Sequence, residues 1–559
     1  MHRTRLGALL TVVLLIVVTA GDAARTEHSG TGGPSSASAA SGPAPSSADT
    51  ADRPNPVGAM PPDRFGPATA PCAKVRRPQG WLAQENSRPG TGDWRVPERW
   101  GADLMGFLDT DSAACGDTVR IRLTGTGPAR VTAYRLGWYG GAGGRAVWSS
   151  KEVPSTVRSK GPVAPPTYTV ETNWPVALKF TVGADWPPGY YLLVLRNKSG
   201  SAYGMQLTVR DDAGSAPLLF QASNLTAQAY NTYGGYGLYS GPADPTAART
   251  DRARVASFER PYTGSGYLVP FWYDIPMVQA LERTGLDVDY ATDIDIDRRP
   301  SQLLRHNALI IGGHSEYWTR RMYDAAEAAR DRGVNIAFFG ANTVYWHTRL
   351  EPSPAGPDRR VAVYRKFNED PLAAQDPQQA TVTWRESPLN RGEHRLVGST
   401  WGGLGVIGSF RVLDASSWIY DGTGVHDGQV LADSLGGEYD TALPGDPATP
   451  PTLDVIAAAP LRVGPMATMG TMSYYTAPSG AGVFSAGTTY WPCQLAGSCH
   501  EMAVVPETRA VLQRMTENIL RAFAEGPAGD RHPSRPFLPP GPDNLIASAA
   551  RPEDIGTTG

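Results

Sequence analysis

The sequence predicts an all-β sandwich followed by an α/β domain built on a parallel, helix-covered sheet. Three observations carry that expectation. Between about 76 and 212, short runs of alternating polar and apolar residues are separated by Gly, Pro and Asp turns. After Asp212 strand-like and helix-like segments alternate, the pattern of parallel strands joined by helical crossovers. The apolar run from Ala308 to Ile311 then ends in Gly312-Gly313-His314-Ser315-Glu316-Tyr317-Trp318. That places polar chemistry at the carboxyl end of a strand, where open α/β sheets bind their ligands.

Taken in order, the chain begins with an export-type signal over 1–24. Arg3 and Arg5 precede the apolar stretch from Leu6 to Val18, and small residues follow. An uncleaved signal would be the chain's one membrane contact. Residues 25–75 are rich in Ser, Ala, Gly and Pro and lack the aliphatic side chains needed to bury a core, so they read as a tether. Export turns the four cysteines into disulfide candidates, Cys493 with Cys499 and Cys72 with Cys115. The sandwich spans 76–212, including strands Asp117–Leu123, Val131–Leu136 and Tyr190–Leu195. Its Gly137–Gly144 stretch lacks the Lys-Ser/Thr and the helix of a phosphate loop and reads as a hairpin turn.

The α/β domain is expected over 213–526. Thr319 caps a helix whose Met322, Ala325, Ala326 and Ala329 form one apolar face. A closing helix from Glu507 to Glu525 buries Val511, Leu512, Met515, Ile519, Leu520 and Phe523. The tail, 527–559, is Pro- and Gly-rich and reads as disordered. The net charge of -3, with no long basic block, gives no electrostatic support for nucleic-acid binding.

Chemistry converges on three decorated strand ends. One enters Ala229-Tyr230-Asn231 and the aromatic stretch to Tyr239. The second ends at His314 and Glu316, and the third at Gly340-Ala341-Asn342 with Tyr345 and Trp346. Tyrosinate and carboxylate are hard oxygen donors suited to a ferric-type ion. No His-x-x-x-His or clustered Cys/His set supports zinc. Ser315 is a poor nucleophile candidate, because Tyr317 stands where a nucleophile elbow needs glycine. Asp287, Asp289, Asp293, Asp295 and Asp297 lack calcium-loop spacing and read as the exposed side of a strand and its exit loop.

These residues, with the signature Tyr134-Arg-Leu-Gly-Trp-Tyr-Gly-Gly141 and Arg260-Pro-Tyr262, resemble the large-subunit family of N,N-dimethylformamidase over about 80–526. The resemblance implies a mononuclear iron held by two tyrosines and a glutamate. It maps the glutamate to Glu316, one tyrosine to Tyr230 and the other to Tyr262, with Tyr239 and Tyr273 as alternatives. It assigns His314 to proton transfer and Asn342 to substrate orientation or oxyanion stabilisation. A further catalytic glutamate of the family finds no position in this reading.

The sequence and the resemblance together predict a flavodoxin-like or glutamine-amidotransferase-like α/β domain behind a β-sandwich, secreted or tethered at the cell surface. Its expected activity is metal-dependent hydrolysis of a C–N amide bond in a small molecule. A small partner subunit or a homo-oligomer is left open. The competing class is a non-catalytic envelope protein that binds a glycan or peptide of a surface polymer. A metal-free glycan hydrolase using Glu316 and an Asp comes third.

Overall fold

A computed structural model describes residues 58–65, 77–101, 103–241, 252–463, 465–539 and 541. The signal, most of the tether and Cys72 lie outside the described residues. Two larger sheets form most of the described N-terminal part. Strands β1 (Leu104–Leu108), β2 (Ser112–Ala114), β3 (Thr118–Gly125), β4 (Ala129–Leu136) and β5 (Gly144–Ser149) come first. They are followed by β6 (Leu178–Thr181), β7 (Gly189–Asn197) and β8 (Ala202–Arg210). The sheets have the orders β1-β3-β6 and β2-β8-β7-β4-β5. They share one core, in which Val119 and Ile121 of β3 meet Val131 of β4 and Leu193 and Leu195 of β7.

The main sheet contains β9 (Leu218–Ala222), β10 (Val288–Thr292), β11 (Ala308–Gly313) and β12 (Asn335–Gly340). It continues with β13 (Thr400–Val412), β14 (Val430–Thr441), β15 (Asp454–Val463), β16 (Met466–Thr476) and β17 (Gly482–Ser485). Its nine strands run in the order β10-β9-β11-β12-β17-β16-β15-β13-β14. Every pair from β10 to β17 in that order is parallel, and every pair from β17 to β14 is antiparallel.

This corrects the expected flavodoxin-like parallel α/β fold. The protein is β-rich, and its main sheet is mixed. The reason lies in 400–476, whose long strands are interrupted by glycines such as Gly402, Gly403, Gly405 and Gly408, so no clean period of two survives. Antiparallel neighbours also need no helical crossover.

On the parallel half, side chains alternate between two cores. Leu218, Phe220, Ile310 and Phe339 face one, while Leu219, Leu309, Ile311 and Phe338 face the other. Helices α1 (Asn224–Ala229), α2 (Ile275–Arg283), α3 (Asp293–Arg298), α4 (Arg320–Arg330), α5 (Trp491–Ala496) and α6 (Pro506–Ala524) complete the body. The Thr319 side chain accepts from Met322 N to cap α4, whose alanine face fills the second core. All six apolar residues named for α6 lie in the first core.

Three further corrections follow. Residues 527–539 are not a loose tail. Tyr474 donates to His532 O at 2.8 Å, Thr476 N to Ser534 Oγ at 3.1 Å, and Phe537 bridges to Asp454. Within the expected tether, 58–65 is docked, with Arg64 paired to Asp297 and Asp358. The aspartates near 290 are not an exposed face: Asp289, Asp293, Asp295 and Asp297 are buried. Asp295 closes a capping box with Thr292 at the start of α3 and faces Arg210 and Arg299. Cys493 and Cys499 are bridged as expected. Cys115 is also disulfide-bonded.

The Tyr134–Gly141 signature explains how the sandwich is fastened to the body. Arg135 of β4 and Glu282 of α2 are both fully buried and form a two-pronged pair at 3.0 and 2.6 Å. Tyr290 also donates to Glu282, and Asn86 Nδ2 donates to it at 3.0 Å. Gly137 leaves the space that Glu282 occupies. Removing one partner strands a buried charge, at a cost of about 3–5 kcal/mol. Glu282→Ala should therefore lower unfolding stability by that amount in denaturant titration. Restoring an apolar pair with Arg135→Met plus Glu282→Leu should recover most of it. An Ala variant as stable as the parent would contradict this clamp.

Candidate active site

The candidate side chains gather at the carboxyl ends of the parallel strands β9, β11 and β12. After β9 the chain forms α1, which brings Tyr230 to its carboxyl end. After β11 comes His314-Ser315-Glu316, and Glu316 N donates to Thr226 Oγ1 of α1 at 3.0 Å. After β12 the chain turns sharply, with Asn342 at φ 50 and Val344 at φ 58. Asparagine tolerates that left-handed backbone, whereas a β-branched residue is strained in it. The turn lays the next segment along the first: Val344 N donates to Ser315 O at 3.0 Å, and Tyr345 N to Glu316 O at 2.9 Å.

These segments bring together Tyr230, His314, Glu316 and Asn342. The Tyr230 hydroxyl donates to Glu316 Oε2 at 2.9 Å and lies 3.1 Å from His314 Nε2. The other carboxylate oxygen, Oε1, accepts from the Tyr239 hydroxyl. The two phenol rings stack at 4.7 Å between centroids. Tyr239, weighed as an alternative in the sequence, is therefore the second tyrosine of the cluster.

Tyr262 is not brought there. It packs against the sandwich core, with its backbone bound to the Tyr203 hydroxyl. Tyr273 borders the site, its ring 6.1 Å from that of His314. Ser315 is tied up structurally, its Oγ accepting from Trp318 Nε1 at 3.1 Å and from Gln221 Nε2 at 3.3 Å.

Sequence reading missed Glu438. Residues 438–440 of β14 lie across the carboxyl ends of the parallel strands. Thr489 N donates to Glu438 O at 3.1 Å, Asp440 N to Gly487 O at 3.2 Å, and Asn342 N to Asp440 Oδ1 at 2.8 Å. Glu438 Oε1 then stands 3.3 Å from His314 Nε2, while Oε2 accepts from Asn342 Nδ2 at 2.7 Å and Trp401 Nε1 at 2.8 Å. Its side chain is 19% exposed, against 4% for His314 and 2% for Glu316. Glu438 is thus the most exposed of these three side chains. A signal existed in the sequence. Gly436-Gly437-Glu438-Tyr439-Asp440 repeats the double glycine followed by ionisable residues two apart of Gly312-Gly313-His314-Ser315-Glu316.

Electrostatics assign the charges. Burial opposes a charged His314, but Glu438 and Glu316 outweigh it and raise the imidazole to about 9. Burial likewise opposes the Glu316 carboxylate, and the hydrogen bond and charge of His314 override it, so that group is lowered. Glu438 is raised, by burial first and with the negative charge of Glu316 adding to it. Burial and Glu316 push both Tyr230 and Tyr239 well above the ordinary phenol range.

Among the described residues no three His, Cys, Asp or Glu side chains form a metal-binding group. The convergent donors are instead two phenols and one carboxylate, a hard oxygen set whose mutual hydrogen bonds a cation would replace. By donor chemistry, Tyr230, Tyr239 and Glu316 fit a ferric-type ion.

A family model described as N,N-dimethylformamidase beta subunit-like, C-terminal, matches residues 130–503. The N,N-dimethylformamidase beta subunit of Paracoccus aminophilus is 23% identical over 371 residues, covering 56% of this chain and 44% of that one. The beta subunit of an Alcaligenes species is 23% identical over 368 residues, with the same shares covered. The chain therefore spans less than half the length of these curated relatives. Among solved structures, a Paenibacillus cycloisomaltooligosaccharide glucanotransferase in complex with cycloisomaltoheptaose covers 41% of this chain and 30% of its own. At 12% identity and a TM-score of 0.15, it is too distant to bear on the fold.

One backbone contact sets the spacing of the two central strand ends. Gly340 is paired with Gly313, and a Cβ on Gly340 would overlap the Gly313 carbonyl oxygen. Backbone cannot swing aside as a side chain does. Gly340→Ala should cost about 3 kcal/mol, the upper end of overpacking. Gly101→Ala, where nothing lies within 4 Å, should be close to neutral. Equal unfolding midpoints for the two variants would contradict this.

Proposed function

Because the chain belongs to the N,N-dimethylformamidase beta subunit-like family over residues 130–503, we propose that it is a metal-dependent hydrolase of a C–N amide bond. The observation that carries the proposal is His314 Nε2, set 3.3 Å from Glu438 and 3.4 Å from Glu316. Tyr230, Tyr239 and Glu316 would hold the ion. A ferric-type cation bound there supplies Lewis-acid polarisation of an amide carbonyl.

The chain's own residues perform the proton transfers. Glu438, whose proton affinity is raised and whose side chain is partly open, accepts a proton from the attacking water. Water oxygen adds to the amide carbon. As the C–N bond breaks, the imidazolium of His314 gives its Nε2 proton to the departing amine nitrogen. The proton on Glu438 then passes across 3.3 Å to Nε2, leaving a carboxylic acid and an amine as products. Asn342 Nδ2 and Trp401 Nε1 fix Glu438 Oε2, so that Oε1 keeps its place beside the imidazole. Asp440 holds the Asn342 backbone in its left-handed turn.

The same reading includes export by the 1–24 signal. It also includes a smaller partner subunit, supported by the relatives being named beta subunits.

Purified protein should release amine from N,N-dimethylformamide or from a related N-alkyl formamide or acetamide. Glu438→Gln and His314→Asn should each lower kcat by about 10²–10⁴-fold, the range for general acid–base groups. Bound metal should be retained in both. If no linear amide is hydrolysed and saturable glycan binding is found instead, the hydrolase reading fails.

A further inference from the structure

Arg365 has no part in the proton transfers above, yet its guanidinium lies against the ring of Tyr239, one of the proposed metal ligands. Its guanidinium carbon lies 3.9 Å from the centroid of the Tyr239 ring and 4.8 Å from that of Trp346. The Tyr230 ring stacks on Tyr239 at 4.7 Å, so the Tyr239 phenol is held between a second phenol and a guanidinium. The edges are held as well. Arg365 Nη2 donates to the Tyr317 hydroxyl at 3.2 Å, and Trp346 Nε1 donates to the Tyr239 hydroxyl at 3.3 Å.

The backbone pays for this placement. Arg365 sits at φ 70, a conformation that non-glycine residues adopt at a cost, pinned by Arg365 N donating to Thr381 O at 2.8 Å. Its Nε is buried without a hydrogen-bond partner. Simple packing would not select a strained, partly unsatisfied arginine. A planar cation over a π face favours electron density on that ring, and Arg stacks in this way better than Lys.

We propose that Arg365 is a positioning residue that fixes Tyr239 over Glu316 and tunes the electron density its oxygen offers to a metal ion. This rests on the metal reading of the same site. The sign follows from charge alone. A cation beside the phenolate stabilises its electrons, which makes their transfer to a ferric ion harder. It also disfavours the higher charge of the ferric over the ferrous state.

The test loads wild-type protein, Arg365→Met and Arg365→Lys with ferric ion, then records the tyrosinate-to-iron absorption band, the midpoint potential and the iron content. Wild type should show the band. Arg365→Met should keep its iron, shift the band to longer wavelength and lower the potential. Arg365→Lys, which keeps the charge but loses the plane, should fall between them. If Arg365→Met fails to fold by far-ultraviolet circular dichroism, the Lys variant decides by the same readouts. An unmoved band and potential at equal iron content overturn the role of Arg365 and leave the metal reading standing. A wild-type protein that takes up iron without any band overturns both.

Discussion

The imidazole of His314, held between Glu316 and Glu438, is the contact on which the rest of the site depends. Its Nε2 lies 3.4 Å from one carboxylate and 3.3 Å from the other, and the three groups come from two different halves of the main sheet. His314 and Glu316 leave the parallel half at the end of β11, whereas Glu438 belongs to the antiparallel edge strand β14. A buried cation between two carboxyl groups must be matched in charge, because an unpaired one would cost several kcal/mol. The phenols of Tyr230 and Tyr239 complete that balance, satisfying both oxygens of Glu316. The cluster is therefore complete only where both halves of the mixed sheet are in place, since neither half alone supplies all its residues.

Much of the first half of the site was legible in the sequence. A strand that ends in two glycines and delivers His and Glu two residues apart could be a plain strand-to-helix loop, but its coincidence with two other decorated strand ends is harder to explain structurally. Asn342 after the next strand pointed to the same crevice, and the structure joins them through the backbone pairing of Gly313 with Gly340. The cap at Thr319 and the buried faces of α4 and α6 also followed from periodicity. What periodicity could not convey was the antiparallel half. Its glycine-interrupted strands carry no clear alternation, and the contact between Glu438 and His314 is set by how that half crosses the parallel strands. The error in fold class and the missing glutamate have one cause.

Tyrosine placement shows a second limit. Tyr262 and Tyr239 are equally plausible oxygen donors by residue type, Tyr239 ending the aromatic stretch that begins at Tyr230 and Tyr262 following in the Arg260-Pro-Tyr262 motif. The sandwich decides between them. Tyr203 binds both backbone groups of Tyr262 and turns it toward the sandwich, while Arg365 and Tyr230 close on Tyr239. The signature around Arg135 carries the complementary lesson. Its residues form a buried clamp to Glu282 and lie outside the candidate site, so a strong sequence resemblance there reports how two layers are joined.

The central claim, that Tyr239 rather than Tyr262 completes the metal-binding set with Tyr230 and Glu316, is tested most directly by metal stoichiometry. Wild type, Tyr239→Phe and Tyr262→Phe would be purified identically and their iron measured by elemental analysis. The account predicts iron near one equivalent in wild type and in Tyr262→Phe, and strong depletion in Tyr239→Phe. Retention of iron by Tyr239→Phe together with its loss from Tyr262→Phe would contradict it.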